Sequence, residues 1–568
     1  MTHEKYIACS KAARKLIKAD LVLKNASIVN VFTDRVEKGD IAIKDGTVVG
    51  IGEYEGEEEL DVSGKYVTPG FINAHLHLES TMVNPQVMIA EAAKHGTTTF
   101  IVDPHEAANV SGCDGIDYLL DQTENCPANV CFMIASCVPA TPIDDNGVKL
   151  MAKDMKCYAD NPRILGLGEV MDTRSVIDGD PDMYDKFVLF AGKVKDGHAP
   201  GLNMEDLSAY ALAGVTTDHE GTSFDYVMKE RAMGIVCLIR EGSAARNLEA
   251  IVKGIVENNV STEGFCFCTD DRHIEDTIRD GDIDNCVRKA VSMGINPIAA
   301  VKMATIQPAR CYGLRRTGAV APGYDADLVV WDSLRNFNAE LVLLKGKRID
   351  EKLGIDPRPC PPHLLDTVHL ADIDPEKLVI KPGSSSFPVI RMIPGEILTE
   401  RVDMVLPVDE SSGIFVPNKE ISKIACFERH HRTGKIGVGA VTGFGIQRGA
   451  IASSVSHDSH NIIAIGDNDR DIMLAVRELE RTHGGYTVVD HGTVYDTLEL
   501  PIMGLISDRD REYVSSKVRI MTAKAHEMGV PAEMEPFVTL SFMGLPVIPE
   551  IRCIPRGVYS VTEERLLT

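Results

Sequence analysis

Between residues 67 and 316 the chain alternates short apolar, β-branched runs with helix-like segments, and it does so eight times. Such alternation specifies parallel strands joined by crossover helices, and eight repeats is the number that closes a (β/α)8 barrel. The runs are "FINAHLH", "TTTFIVDP", "NVCFMIAS", "ILGLGEV", "GKVKDGHAP", "GVTTDHE", "GIVCLIREG" and "GFCFCTDD". The fifth and sixth are short and polar, so the intervals there are irregular. Working residues of such a barrel project from the carboxyl ends of its strands. Here those ends carry His75, His77, Glu169, His198, His219 and Asp270.

His75 and His77, in "VTPGFINAHLHLEST", are two residues apart, so on a strand their imidazoles share a face. Alone, such a pair reads better as two packed or surface histidines than as metal ligands. The other four ligand-type residues, from strands four, five, six and eight, change that reading. Buried together in an apolar barrel without a charge partner they would be costly, so as a set they predict a metal centre. Residues 265 to 270 alternate, which puts Cys266 and Cys268 on the face of Asp270. They are expected as small lining residues, with soft metal ligation the alternative.

The flanks divide the rest. The spacing of Tyr6, Ile7, Ala12, Leu16 and Ile17 predicts an amphipathic helix within residues 1–19, packed on the body. Residues 20–66 read as short strands with turn chemistry at Asn25, Asp45-Gly46 and Ser63-Gly64. β-type sequence resumes after the barrel in "GAVAPGYDADLVVWDS" and "NAELVLLKGKRI". Residues 20–66 and 317–352 are therefore expected to form one small β-sandwich module, with the barrel, 67–316, inserted in it. The proline-rich "IDPRPCPPHLLD" marks a boundary, after which residues 365–568 read as a separate α+β domain.

Composition excludes several roles. A chain of 568 residues exceeds what one core organises, and its 59 basic against 84 acidic side chains leave a formal charge of −25. Phosphate backbones and anionic membrane surfaces would repel it, so no nucleic-acid or membrane partner is expected. No apolar run reaches membrane length, and "MTHEKYIACSKAARKLIKAD" lacks the apolar core of a secretion signal. The 14 cysteines are scattered with no C-x-x-C pair, which predicts reduced thiols and a cytoplasmic protein. "GKIGVGAVTGFG" lacks the strand, lysine and helix frame of a phosphate-binding loop.

The ligand pattern resembles that of the amidohydrolase superfamily: H-x-H on strand one, a bridging group on strand four, histidines on five and six, aspartate on eight. The module built from both flanks of the barrel is similar too. Many members carboxylate a lysine on strand four; here "LGLGEVMD" offers Glu169, a carboxylate that can bridge two cations unmodified. That departure sets the chain apart from hydantoinase-like and dihydroorotase-like members. More narrowly, the chain resembles the bacterial adenine deaminases along nearly its whole length. "TPGFINAHLHLESTM", "DPHEAANV", "GLGEVMD", "DGHAPGL", "TDHE", "CTDDRH" and "SSVSHDSHNIIAIG" carry that resemblance.

The resemblance implies hydrolytic deamination of adenine to hypoxanthine and ammonia in purine salvage. It also implies a free purine base as substrate, two divalent metal ions (Mn2+ or Fe2+ ahead of Zn2+), and a homo-oligomer of two or more chains. His75, His77 and Asp270 would hold one ion and His198 and His219 the other, with Glu169 and a hydroxide bridging. Asp270 would move the hydroxide proton toward the ring or the departing amine. Ring protonation needs an acid, for which Glu106, Glu220 and Asp271 are candidates, with His105 beside Glu106 as a further catalytic candidate. His457 and His460 lie far beyond the barrel, in "SVSHDSHN"; they read as a polar surface loop or as a segment closing over the substrate. Two other readings stand beside this one: an amidohydrolase acting on a cyclic amide or N-acetyl substrate, and a non-catalytic scaffold on a metal-free barrel.

Overall fold

A computed structural model of the chain describes residues 1–243, 245–349, 355–383, 386–393 and 397–568. Residues 350–352, the expected end of the β module, lie outside the described residues. All eight expected barrel strands are present: β1 (Phe71–Leu76), β2 (Thr97–Val102), β3 (Asn129–Ile134), β4 (Ile164–Val170), β5 (Val194–Gly197), β6 (Thr217–Asp218), β7 (Val236–Arg240) and β8 (Phe265–Cys268). Each pairs in parallel with its neighbours in chain order. Leu76 bridges to Asp270, and the Asp270 amide donates to the His75 carbonyl at 3.0 Å, so β8 returns to β1. Ile72, Ala74, Ile101, Met133, Leu238, Cys266 and Cys268 pack together with Ala309 and Tyr312 in the lumen. The two thiols are thus filling residues beneath the site, within an apolar layer.

Strands from both flanks share one eight-stranded sheet. Leu328–Trp331 runs antiparallel to Tyr66–Pro69, which in turn lies beside Ala19–Asn30. The N-terminal helix is shorter than expected and turned the other way. It spans His3–Ala13, with the Thr2 hydroxyl accepting from the Lys5 amide at 3.3 Å, and Lys15 at φ 59° takes the chain out of it. Cys9 and Ala12 face the sheet, packed with Val22, Ala42 and Val49. Tyr6, Ile7, Leu16 and Ile17 face solvent, so of the expected stripe only Ala12 packs. Small side chains let the helix lie close on the sheet, and bulky ones would lift it off.

The C-terminal region builds its own eight-stranded sheet, with the helix Asp469–Arg481 against four of its strands. It does not stand apart from the barrel. Leu76, Leu78, Val102 and Phe132 belong to the same buried apolar cluster as Ile390, Ile463, Tyr486, Phe537 and Phe542. That shared core fixes the C-terminal region over the carboxyl ends of the barrel strands.

Candidate active site

The β1–β2 ladder slips in register between Asn73 and Leu76, the interval that holds His75, and His77 follows just past it. Their Nε2 atoms lie 3.1 Å apart. The Nδ1 of His75 is 2.8 Å from the Asp196 carboxylate, and that of His77 is 3.0 Å from the Asp103 carbonyl. Both partners are acceptors, so each Nδ1 carries the hydrogen and each Nε2 presents a lone pair. These lone pairs face Glu169 Oε1 at 3.0 and 2.8 Å, and Asp270 Oδ1 lies 3.2 Å from His77 Nε2. Four acceptors converging in a dry space repel one another unless a cation sits among them.

The second half repeats the pattern. His198 Nδ1 is 2.8 Å from Glu169 Oε2, and His219 Nε2 is 3.7 Å from the same oxygen. Glu169 thus offers one oxygen to each group of histidines, and all six residues expected from the sequence share this cavity or its wall. The electrostatics agree. Burial opposes charge on His75, yet Asp196 and Glu169 outweigh it and raise its pKa to about 10. Burial and the nearby His75 hold His219 well below its ordinary value, leaving a neutral imidazole able to ligate. The carboxylates call for positive charge, and a bound cation supplies it while leaving the imidazoles unprotonated.

Several supports carry no motif. The Asp103 carboxylate accepts the Glu169 amide at 2.8 Å, and a Cβ on Gly168 would lie 2.1 Å from that oxygen, so glycine is what lets Asp103 keep this position. Arg240, at the end of β7, donates to Asp270 Oδ2 at 2.8 Å and to both oxygens of Glu220. Burial alone would raise the Asp270 pKa, but the His77 contact and the Arg240 charge hold it well below the usual range.

The C-terminal region forms the far wall of the cavity. Ile397, His457, Asp458, Phe542, Leu545 and Ile548 line it opposite His105, Glu220, Arg240 and Asp271. His457 stacks on Phe542 with centroids 4.6 Å apart and planes 12° from parallel. His460 does not reach the cavity; it is buried behind it, its Nδ1 accepting from the Ser456 amide at 3.2 Å and its Nε2 4.0 Å from Glu106. Glu106 also lies behind the wall. The Ser80 hydroxyl joins Glu106, at 2.6 Å, to Asp271, which faces the cavity. One hydroxyl carries one proton, so two carboxylates around it need a second. Burial, then Asp271 and Glu79, push Glu106 well above its ordinary pKa, so Glu106 holds that proton.

A model of the amidohydrolase family matches residues 66–349, and one of the adenine deaminase C-terminal domain matches residues 396–565. An adenine deaminase of Desulfitobacterium hafniense (strain Y51) is 51% identical over 97% of this chain and 96% of its own length. Another, of Clostridium acetobutylicum, is 43% identical over 97% of each chain. A third, of Nitratidesulfovibrio vulgaris (strain Hildenborough), is 43% identical over 95% of each. The chain belongs to the adenine deaminase family.

In this member of the adenine deaminase family, sequence reasoning passed over Asp103, Asp196, Arg240, Asp458 and Phe542. Asp103 and Arg240 stand at strand ends, so position alone could have nominated them. Asp458 sits inside the quoted "HDSHN". Asp196 precedes the conspicuous His198 by two residues and so shares its alternation. No local signal marks Phe542, whose place follows from the shared core.

Proposed function

We propose that this chain hydrolyses the exocyclic amine of adenine, giving hypoxanthine and ammonia, as a step in purine salvage. The observation that carries the reading is a cavity lined both by the candidate ligand side chains and, from the C-terminal region, by Phe542, Leu545 and Ile548. A flat, polar-edged heterocycle suits such a lining. The formal charge of −25 also disfavours a polynucleotide substrate.

His75, His77 and Asp270 would hold one divalent cation and His198 and His219 another, with Glu169 between them. The mixed nitrogen and oxygen donors suit Mn2+ or Fe2+ as well as Zn2+. When bound, such cations lower the pKa of water enough to supply a nucleophile near neutral pH. Asp270, ionised and held by Arg240, is placed to accept the proton of the attacking water and return it to the base or the departing amine. Glu106 stores a proton that Ser80 and Asp271 can pass to the cavity for ring protonation. Glu220, clamped by Arg240, and His105 line the cavity as orienting groups.

All fourteen cysteines are unpaired, which supports a cytoplasmic location. Exposed Tyr184, Val188 and Leu212 offer apolar surface for a homo-oligomer of two or more copies. The deciding experiment follows adenine by ultraviolet absorbance with Mn2+-loaded protein. Hypoxanthine should form, and Asp270→Asn should slow it by about 100-fold or more. No conversion by protein shown to hold two metals would sink adenine as the substrate.

A further inference from the structure

Besides the six ligand residues there is a second group of donors in the same region. His105 is 4% exposed, and neither of its ring nitrogens has a hydrogen-bond partner. Its Nε2 is 3.6 Å from Asp458 Oδ1, and His457 Nδ1 lies 3.8 Å from that same oxygen. The three donor atoms lie within 4.8 Å of one another, and all three residues are buried. The other oxygen of Asp458 also lacks a partner.

These separations are too long for hydrogen bonds. Two donors each at about 2.1 Å from one ion stand about 3.4 Å apart at a tetrahedral angle and farther apart at wider angles. The spacing of His105, Asp458 and His457 is therefore that of ligands about a centre. Charge favours an ion as well. Asp103, Glu169, Glu220, Asp270, Asp271 and Asp458 crowd the region, and Arg240 is the sole lysine or arginine among the cavity's described lining residues. A buried imidazole with idle nitrogens and a half-idle carboxylate is an expensive arrangement, and a divalent cation would engage His105 Nε2 together with the Asp458 carboxylate.

We propose that His105, His457 and Asp458 form a third divalent-cation site, distinct from the barrel pair. His105 belongs to the barrel, in the helix after β2, whereas His457 and Asp458 come from the C-terminal region. The ion would therefore tie the two together at the cavity wall. Three protein donors leave coordination positions open to water or to a ring nitrogen of a bound heterocycle. The site stands on these three side chains and does not depend on the reading of the barrel pair or on the substrate.

The test uses the full chain, stripped with a chelator, saturated with Mn2+, freed of unbound metal, and then both assayed for metal content and crystallised. Three equivalents are expected, with an anomalous-scattering peak among His105, His457 and Asp458. Asp458→Asn should retain two equivalents and lose that peak alone. Two equivalents in the parent protein, with peaks only at the barrel ligands, would overturn the site. A peak at this triad without the barrel pair would uphold it while removing the binuclear reading. No peak anywhere would remove both. If Asp458→Asn does not fold, the parent crystal decides by itself.

Discussion

Gly168 shows how closely single atoms govern this site. With the Asp103 oxygen 2.1 Å from where a Cβ would stand, alanine cannot enter unless Asp103 moves. Moving it releases the Glu169 amide, and with it the aim of the carboxylate that serves both groups of histidines. Gly168→Ala should lower metal retention and kcat by about 10–100-fold, the usual effect of disturbing the groups that orient metal ligands. Metal content after desalting and initial rates on adenine would measure it; unchanged retention would show that Asp103 does not aim Glu169. The H-x-H pair was legible because its period matches a strand, and the other ligands because they end strands. Position could have nominated Asp196 and Arg240, but their partners were not legible, because a carboxylate and a guanidinium in sequence look the same whether solvated or turned inward.

At the scale of elements, the segment carrying His457 and Asp458 is held by one buried cation. Arg429 donates to the His460 carbonyl, to the Met503 carbonyl at 3.0 Å, and to the Thr367 hydroxyl at 3.2 Å. Asn461 adds a bond to the Asp145 carbonyl of the barrel at 2.8 Å. Arg429→Met would leave these acceptors buried without a donor, at about 1–3 kcal/mol for each. We expect a markedly lower thermal midpoint and reduced kcat, with Arg429→Lys recovering part of both, since an ammonium supplies donors without the fork geometry. Calorimetry and rates on the two variants would check this; equal loss in both would mean that bulk, not donation, holds the segment. The sequence offered a choice between surface loop and closing segment, and it could not decide, because the anchors lie between 30 and more than 300 residues away.

At the scale of the whole molecule, the barrel and the C-terminal sheet share one apolar core. A core common to both couples their unfolding, whereas regions joined by a linker would melt separately. The metal-loaded chain should therefore show one calorimetric transition. Two well-separated transitions, with the C-terminal region melting first, would show that the shared cluster contributes little to stability.

The sequence by itself determined the barrel, its eight strands and the family resemblance, and it picked out the six candidate ligand residues that the fold brings together, since periodicity and strand-end position are local properties. It also implied that strands from both flanks belong together, and they pair in one sheet. It misplaced the N-terminal stripe, because the sheet selects the small face of that helix. Only the tertiary structure decided that His457 lines the cavity while His460 stands behind it, that Glu106 reaches the cavity through Ser80, and that Phe542 helps to close it. Each of those outcomes depends on contacts between residues distant in the chain, set by how two sheets bury a common apolar surface, and no local pattern encodes them.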